Sequence, residues 1–239
     1  MTTDNTSWEI VLVPGLWLDD SSWEKVIPPL EKAGHRARPL TLPGLASRAA
    51  DRAGVGAADQ VAAVVAALDE AGASGAPVLL VGHSLGCGIA WGALDARVDT
   101  VTKVAYVGGW PAASGRPLAK GFSTDGPDLP PVPWEELGDD VRDLDRAEFE
   151  SYLRPSPARL TTEGLDLYDE RRYDVPALFV CPEYTAGQLR EWVAEGEEPV
   201  QEIRRLSRVE YVDLPTGHWP QLSRPDELAA ILVAATGTA

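Results

Sequence analysis

A chain of 239 residues with 44% hydrophobic content has the length and apolar mass of one large α/β domain, 1–239, with room for an inserted segment. Its net charge of −16 argues against nucleic acid or an anionic membrane as partner. No apolar run approaches a membrane span, the polar stretch Met1 to Ser7 lacks the basic start of a signal peptide, and Cys87 and Cys181 sit in apolar stretches that suit buried free thiols, so a reducing, cytoplasmic setting is expected.

Trp8 to Val13 predicts a first strand, stopped by Pro14-Gly15. A helix capped by Ser21 or Ser22 follows to about Ala33, with Val26 and Leu30 inward, and Gly34 ends it. Arg36 to Leu40 reads as a second strand, and 57–71 as a helix after a loop rich in Gly, Ala and Pro. Next come a strand over 77–82, a helix over 85–96, and a strand from Val101 to Val107 that ends in Gly108-Gly109. The rhythm then breaks. Segment 111–174 holds many prolines, several aromatics and short helical pieces: Asp145 with Glu148 predicts a capping box, and Ser156 before Pro157 predicts a cap and first helical position. It resumes with a strand over 175–180, a helix over 186–194, a strand over 209–214 and a closing helix over 225–235. Alternating strands and helices predict a mostly parallel sheet with helices on both faces, and 111–174 reads as a lid over its carboxyl edge, where such sheets bind ligands.

The pentapeptide Gly82-His83-Ser84-Leu85-Gly86 stands directly behind the apolar run 77–81. A strand that ends this way and continues as a helix turns sharply. Glycines at both flanks relieve the clash with neighbouring chain, and the serine hydroxyl is pushed out beside the Leu85 N–H and a helix N-terminus. Ser84 is therefore the candidate nucleophile, and it needs a base. His218, in the loop after the last strand, lies at the same sheet edge and in the recurrent chain order, unlike His35 in a surface connection. With three histidines, none three or four residues from another, a metal site has no support. The orienting acid should follow an intervening strand, which points to Glu183, with Asp125 and Asp128 in the lid as competitors. The amides of Leu85 and of Leu16, in the loop after the first strand, are the candidate oxyanion donors. Trp17, His83, Trp110 and Trp219 are expected to form the substrate pocket.

These residues resemble the α/β-hydrolase superfamily along nearly the whole chain. Within it the likeness is to the plant-type methylesterase and hydroxynitrile lyase branch and its bacterial esterase relatives. The match runs through Val11 to Gly15, Ser22-Trp23, Leu30 to His35, the Gly82–Gly86 pentapeptide and Gly217 to Pro225. Three positions depart from the family. Pro14 stands where it usually has His, so the bracing of the oxyanion loop must differ. Thr185 stands where it usually has an acidic Asp, with Glu183 two residues earlier. Trp219 and Gly15 replace the Lys and Thr of the lyases, which removes the ammonium that stabilises cyanide.

The expected activity is hydrolysis of a neutral small-molecule carboxylic ester by Ser84, without a cofactor. Thioester, lactone or C–C hydrolysis on the same fold, and a non-catalytic ligand-binding receptor, are the alternatives. The oligomeric state is left open. Segment 111–174 has 15 Asp and Glu against 8 Lys and Arg, so an anionic rim that disfavours anionic substrates is expected.

Overall fold

In a computed structural model of the chain, the described residues are 6–237, so most of the polar start, residues 1–5, lies outside them. The strands are β1 Glu9–Val13, β2 Arg36–Pro39, β3 Val78–His83, β4 Lys103–Val107, β5 Asp128–Leu129, β6 Ser156–Pro157, β7 Ala177–Cys181 and β8 Val209–Asp213. Six of them form one sheet in the order β2-β1-β3-β4-β7-β8, and every neighbouring pair is parallel. Parallel strands buried on both faces read as continuous apolar runs, which is why β1, β3, β4 and β7 are legible as such.

Successive side chains divide between two cores. Leu79, Val81, Ala105, Val107, Leu178 and Val180 pack with Leu30 of α1 (Ile27–Lys32) and with Leu228 and Leu232 of the closing helix. Leu80, Val104, Tyr106 and Phe179 face the opposite way, toward α2 (Ala57–Gly72), α3 (Gly86–Ala96) and segment 111–174. Helix α3 is buried along nearly its whole length because the sheet lies on one side of it and this segment on the other. The remaining helices are α4 Arg146–Tyr152, α5 Ala186–Glu195, α6 Pro220–Ser223 and α7 Pro225–Thr236. Among the described residues no helix is long and apolar enough to cross a membrane, and Cys87 and Cys181 are both free and buried.

Local expectations fail at three places. The first helix is broken into a 3₁₀ turn, Asp20–Trp23, and α1, because Pro28 and Pro29 lack N–H donors and their rings crowd the preceding turn. Its cap is Asp19, which accepts from the Ser21 N–H at 3.1 Å, rather than Ser21 or Ser22. Asp145 does cap α4 by accepting from the Glu148 N–H at 2.9 Å, but the Glu148 carboxylate turns away to Lys25 instead of closing a box. Ser156 caps no helix. It lies in β6, which pairs antiparallel with β5, and its buried hydroxyl serves the loop after β1.

Candidate active site

Strand β3 delivers the site. The Ser84 N–H extends its ladder to the Val107 carbonyl at 2.9 Å, and the chain then folds at once into α3, which holds Ser84 at φ +52°. Such a conformation costs a residue with a side chain of order 1–3 kcal/mol, so the surroundings must enforce it. They do so by close approach. A Cβ on Gly82 would stand 2.7 Å from the Cys87 Cα, and one on Gly86 would stand 2.4 Å from the Pro14 carbonyl oxygen. The amides of Leu85 and Leu16 donate to no protein acceptor among the described residues, and both residues line the cavity that holds Ser84.

The loop after β8 brings His218 over the elbow, with its Nε2 2.8 Å from the Ser84 Oγ. Its Nδ1 meets the Glu183 Oε1 at 2.7 Å, which leaves Nδ1 carrying the proton and Nε2 free to accept from the hydroxyl. Asp128 instead pairs with Arg52 at 3.4 Å, and Asp125 is exposed. Segment 111–174 clamps the histidine loop: the Asp140 carbonyl accepts from the His218 N–H at 2.7 Å, and the Arg142 guanidinium donates to the Thr216 carbonyl. From below, the His83 Nε2–H donates to the His218 carbonyl at 2.8 Å and its Nδ1 accepts from the Gln221 amide at 3.2 Å. Burial, and secondarily the charge of His218, lower the His83 pKa to about 3. His83 is thus a neutral brace.

Ser84, His218 and Glu183 open on a cavity of about 640 Å³, walled by apolar groups such as Leu16, Trp110, Leu118, Ala119 and Phe122. Of the four residues expected to form the pocket, Trp110 lines it, with its ring 5.9 Å from that of Tyr184. The other three lie behind its walls. Trp17 stands edge-on to Phe122 at 5.5 Å, His83 is wholly buried, and Trp219 packs against Phe149 at 4.5 Å. The anionic rim does not reach the cavity either. The charged side chains that segment 111–174 contributes to its wall are Arg116 and Lys120, because the segment's carboxylates point elsewhere. Sequence reading missed these two, as well as Ser156, Asp140, Arg142 and Gln221. A loop carries no periodicity to reveal which side faces a cavity, although the serine hydroxyl and glutamine amide did need buried partners. Among the described residues no group of three or more His, Cys, Asp or Glu is placed to hold a metal ion.

The oxyanion loop is braced without a histidine at position 14. Trp17 sits at φ +66°, its N–H donates to the Ser156 Oγ at 2.7 Å, and its carbonyl accepts from the Arg154 N–H at 3.0 Å. The Asp19 carboxylate pairs with the Arg154 guanidinium, which ties the loop to the same strip of chain.

Residues 10–231 match the family model described as the alpha/beta hydrolase family. A search of curated proteins found no match. Among solved structures, an extracellular alpha/beta-hydrolase from a Paenibacillus species, described as sharing structural and functional homology with tobacco salicylic acid binding protein 2, is 19% identical. It superposes with a TM-score of 0.75, covering 95% of this chain and 98% of that one. A variant of tomato methylketone synthase I complexed with β-ketoheptanoate is 15% identical, with a TM-score of 0.75 and coverage of 96% and 97%. The methylesterase MES16 from Arabidopsis is 19% identical, with a TM-score of 0.73 and coverage of 97% and 99%. At these identities the likeness is one of fold.

Proposed function

Because the chain belongs to the alpha/beta hydrolase family, we propose that it is a serine hydrolase that cleaves small-molecule carboxylic esters through an acyl-enzyme on Ser84. The observation that carries this reading is the hydrogen-bonded relay from Ser84 through His218 to Glu183, at 2.8 and 2.7 Å, facing an apolar cavity. In this reading the His218 Nε2 takes the hydroxyl proton as the Ser84 Oγ attacks the ester carbonyl. Glu183 holds the tautomer and stabilises the imidazolium. The Leu85 and Leu16 amides receive the oxyanion, where two preset donors meet the charge as it develops. The imidazolium then protonates the departing alcohol, and water deprotonated by His218 releases the acid and restores Ser84. Every proton moves through His218, so the scheme calls on no cofactor. Segment 111–174 serves as the lid, since it supplies part of the cavity wall and clamps the histidine loop. An ester is favoured as substrate because the walls around Ser84 are apolar and the fold neighbours include a methylesterase.

The test combines labelling with turnover. A fluorophosphonate should attach to Ser84, located by peptide mass, and p-nitrophenyl butyrate should be hydrolysed at a rate that the label abolishes. Parallel assays with an acyl thioester, a lactone and a β-diketone rank the leaving groups. Labelling without turnover on any of them would replace the hydrolase with a binding protein on the same fold.

A further inference from the structure

Outside the Ser84–His218–Glu183 relay, the ionisable side chains on the cavity wall are Arg116, Lys120 and Glu198. Glu198 bridges the other two: its Oε1 meets the Arg116 Nη1 at 2.8 Å and its Oε2 the Lys120 Nζ at 3.5 Å. Two cations thus share one carboxylate, which leaves this cluster one positive charge in excess, set apart on the wall from the Glu183 carboxylate that faces His218. The stretch that presents them is held in place. Its Gly115, Leu118 and Ala119 N–H groups donate to the carbonyls of Leu165, Glu163 and Leu160 at 2.8, 3.1 and 2.8 Å.

An ion pair that merely strapped this stretch to Glu198 would need one cation. A second one, at the longer distance of 3.5 Å, adds like-charge repulsion to the pair and leaves donors to spare. The Arg116 Nε and Nη2 have no other acceptor among the described residues, and both cations are more than half exposed. Guanidinium and ammonium groups so placed are receptors for a carboxylate, and Arg takes it through two parallel hydrogen bonds. Leu118, Ala119 and Phe122 supply apolar wall between and beside them.

We propose that Arg116 and Lys120 form an anion subsite, tempered by Glu198, that receives a carboxylate at the end of an apolar arm of the ester. The assignment rests on the hydrolase reading above, and it inverts the charge preference that the composition of segment 111–174 suggests. The substrate class is then the monoester of an aliphatic dicarboxylic acid, or an ester of a hydroxy acid, rather than an uncharged ester.

Mono-p-nitrophenyl esters of straight-chain dicarboxylic acids of increasing length place the carboxylate on the acyl arm, and acetyl esters of ω-hydroxy acids place it on the alcohol arm. Each is compared with its methyl-capped neutral counterpart, and the anionic-to-neutral ratio of kcat/KM is taken within each variant. At low salt the ratio should exceed one by about three- to tenfold at a preferred length, through KM, as expected for partly exposed ion pairs. It should shrink as salt is raised. The double substitution Arg116→Gln, Lys120→Gln should bring the ratio down to one or below, whereas Glu198→Gln should raise it. A ratio that the double substitution leaves unchanged on both arms, or that Glu198→Gln lowers, overturns the subsite. If neither ester is hydrolysed, the hydrolase reading fails separately. Calorimetric binding of the same monoesters and capped esters to the Ser84→Ala protein then decides the subsite, with equal affinities overturning it.

Discussion

Glu183 meets His218 from two residues ahead of the place where the family resemblance puts an acid, because that place is already occupied with other work. Thr185 caps α5: its hydroxyl accepts from the Gln188 N–H at 3.1 Å, while Asp213 accepts from the Ala186 N–H at 2.5 Å. A glutamate starts further from the imidazole in sequence and covers the difference with its extra methylene. Reach of this kind depends on one side chain's rotamer, which residue spacing does not record, so the sequence left Asp125 and Asp128 open. Ser84 and His218 were legible because a strand–turn–helix pentapeptide and a chain order constrain backbone as well as side chain. Proximity in sequence misled for His83, since alternation along β3 turns it to the same face as Leu79 and Val81, away from the cavity. Ser84→Ala and His218→Ala should each lower kcat by about three orders of magnitude or more, because relay members act as a unit. Glu183→Gln should lower it by roughly ten- to ten-thousandfold through loss of charge and tautomer control. Glu183→Asp keeps the charge but shortens the reach, so it should also lose activity. Steady-state kcat on one p-nitrophenyl ester measures all four, and a Glu183→Gln protein as active as the parent would move the acid's role to another carboxylate.

The elements that hold the oxyanion loop are the ones the sequence described least well. The sheet strands could be placed because buried parallel strands are continuous apolar runs, but β6 is two residues long and has no period to read. Ser156 therefore looked like a helix cap, whereas it supplies the acceptor for the Trp17 N–H at a backbone position with φ +66°. Leu16 lies immediately before that residue, so the aim of its amide depends on a hydrogen bond made by segment 111–174. Ser156→Ala leaves a buried N–H without an acceptor, which should cost about 1–3 kcal/mol and lower Tm by several degrees. It should also lower kcat several-fold, because a displaced donor no longer points at the oxyanion. Thermal unfolding and kcat are measured on the same preparation. A drop in Tm with kcat unchanged would mean that the loop keeps its aim without Ser156.

For the molecule as a whole, net charge was a poor guide to the site, since −16 is an average over a surface and the cavity wall carries Arg116 and Lys120. Burial of two of the three histidines says more about how the fold responds to acid. His83 is wholly buried, and its pKa is lowered to about 3 chiefly by that burial; His35 is buried with Trp8 and Thr236 as partners and is lowered for the same reason. Once unfolded, each titrates near 6.5. Below that value the unfolded chain binds protons that the folded one refuses, so stability rises with pH in this window. The His83 contribution is fully present above about pH 6.5 and is lost steadily as pH falls from there toward 3, and that of His35 has the same sign. Between pH 7.5 and 5.5, where most carboxylates stay ionised, His83 alone should remove about 1.4 kcal/mol. Urea denaturation at the two pH values measures the loss. His83→Gln, which can still donate to the His218 carbonyl, should be less stable at pH 7.5 yet lose less on acidification, by about that same amount. Equal losses in the two proteins would place the acid sensitivity elsewhere and remove His83 as its source.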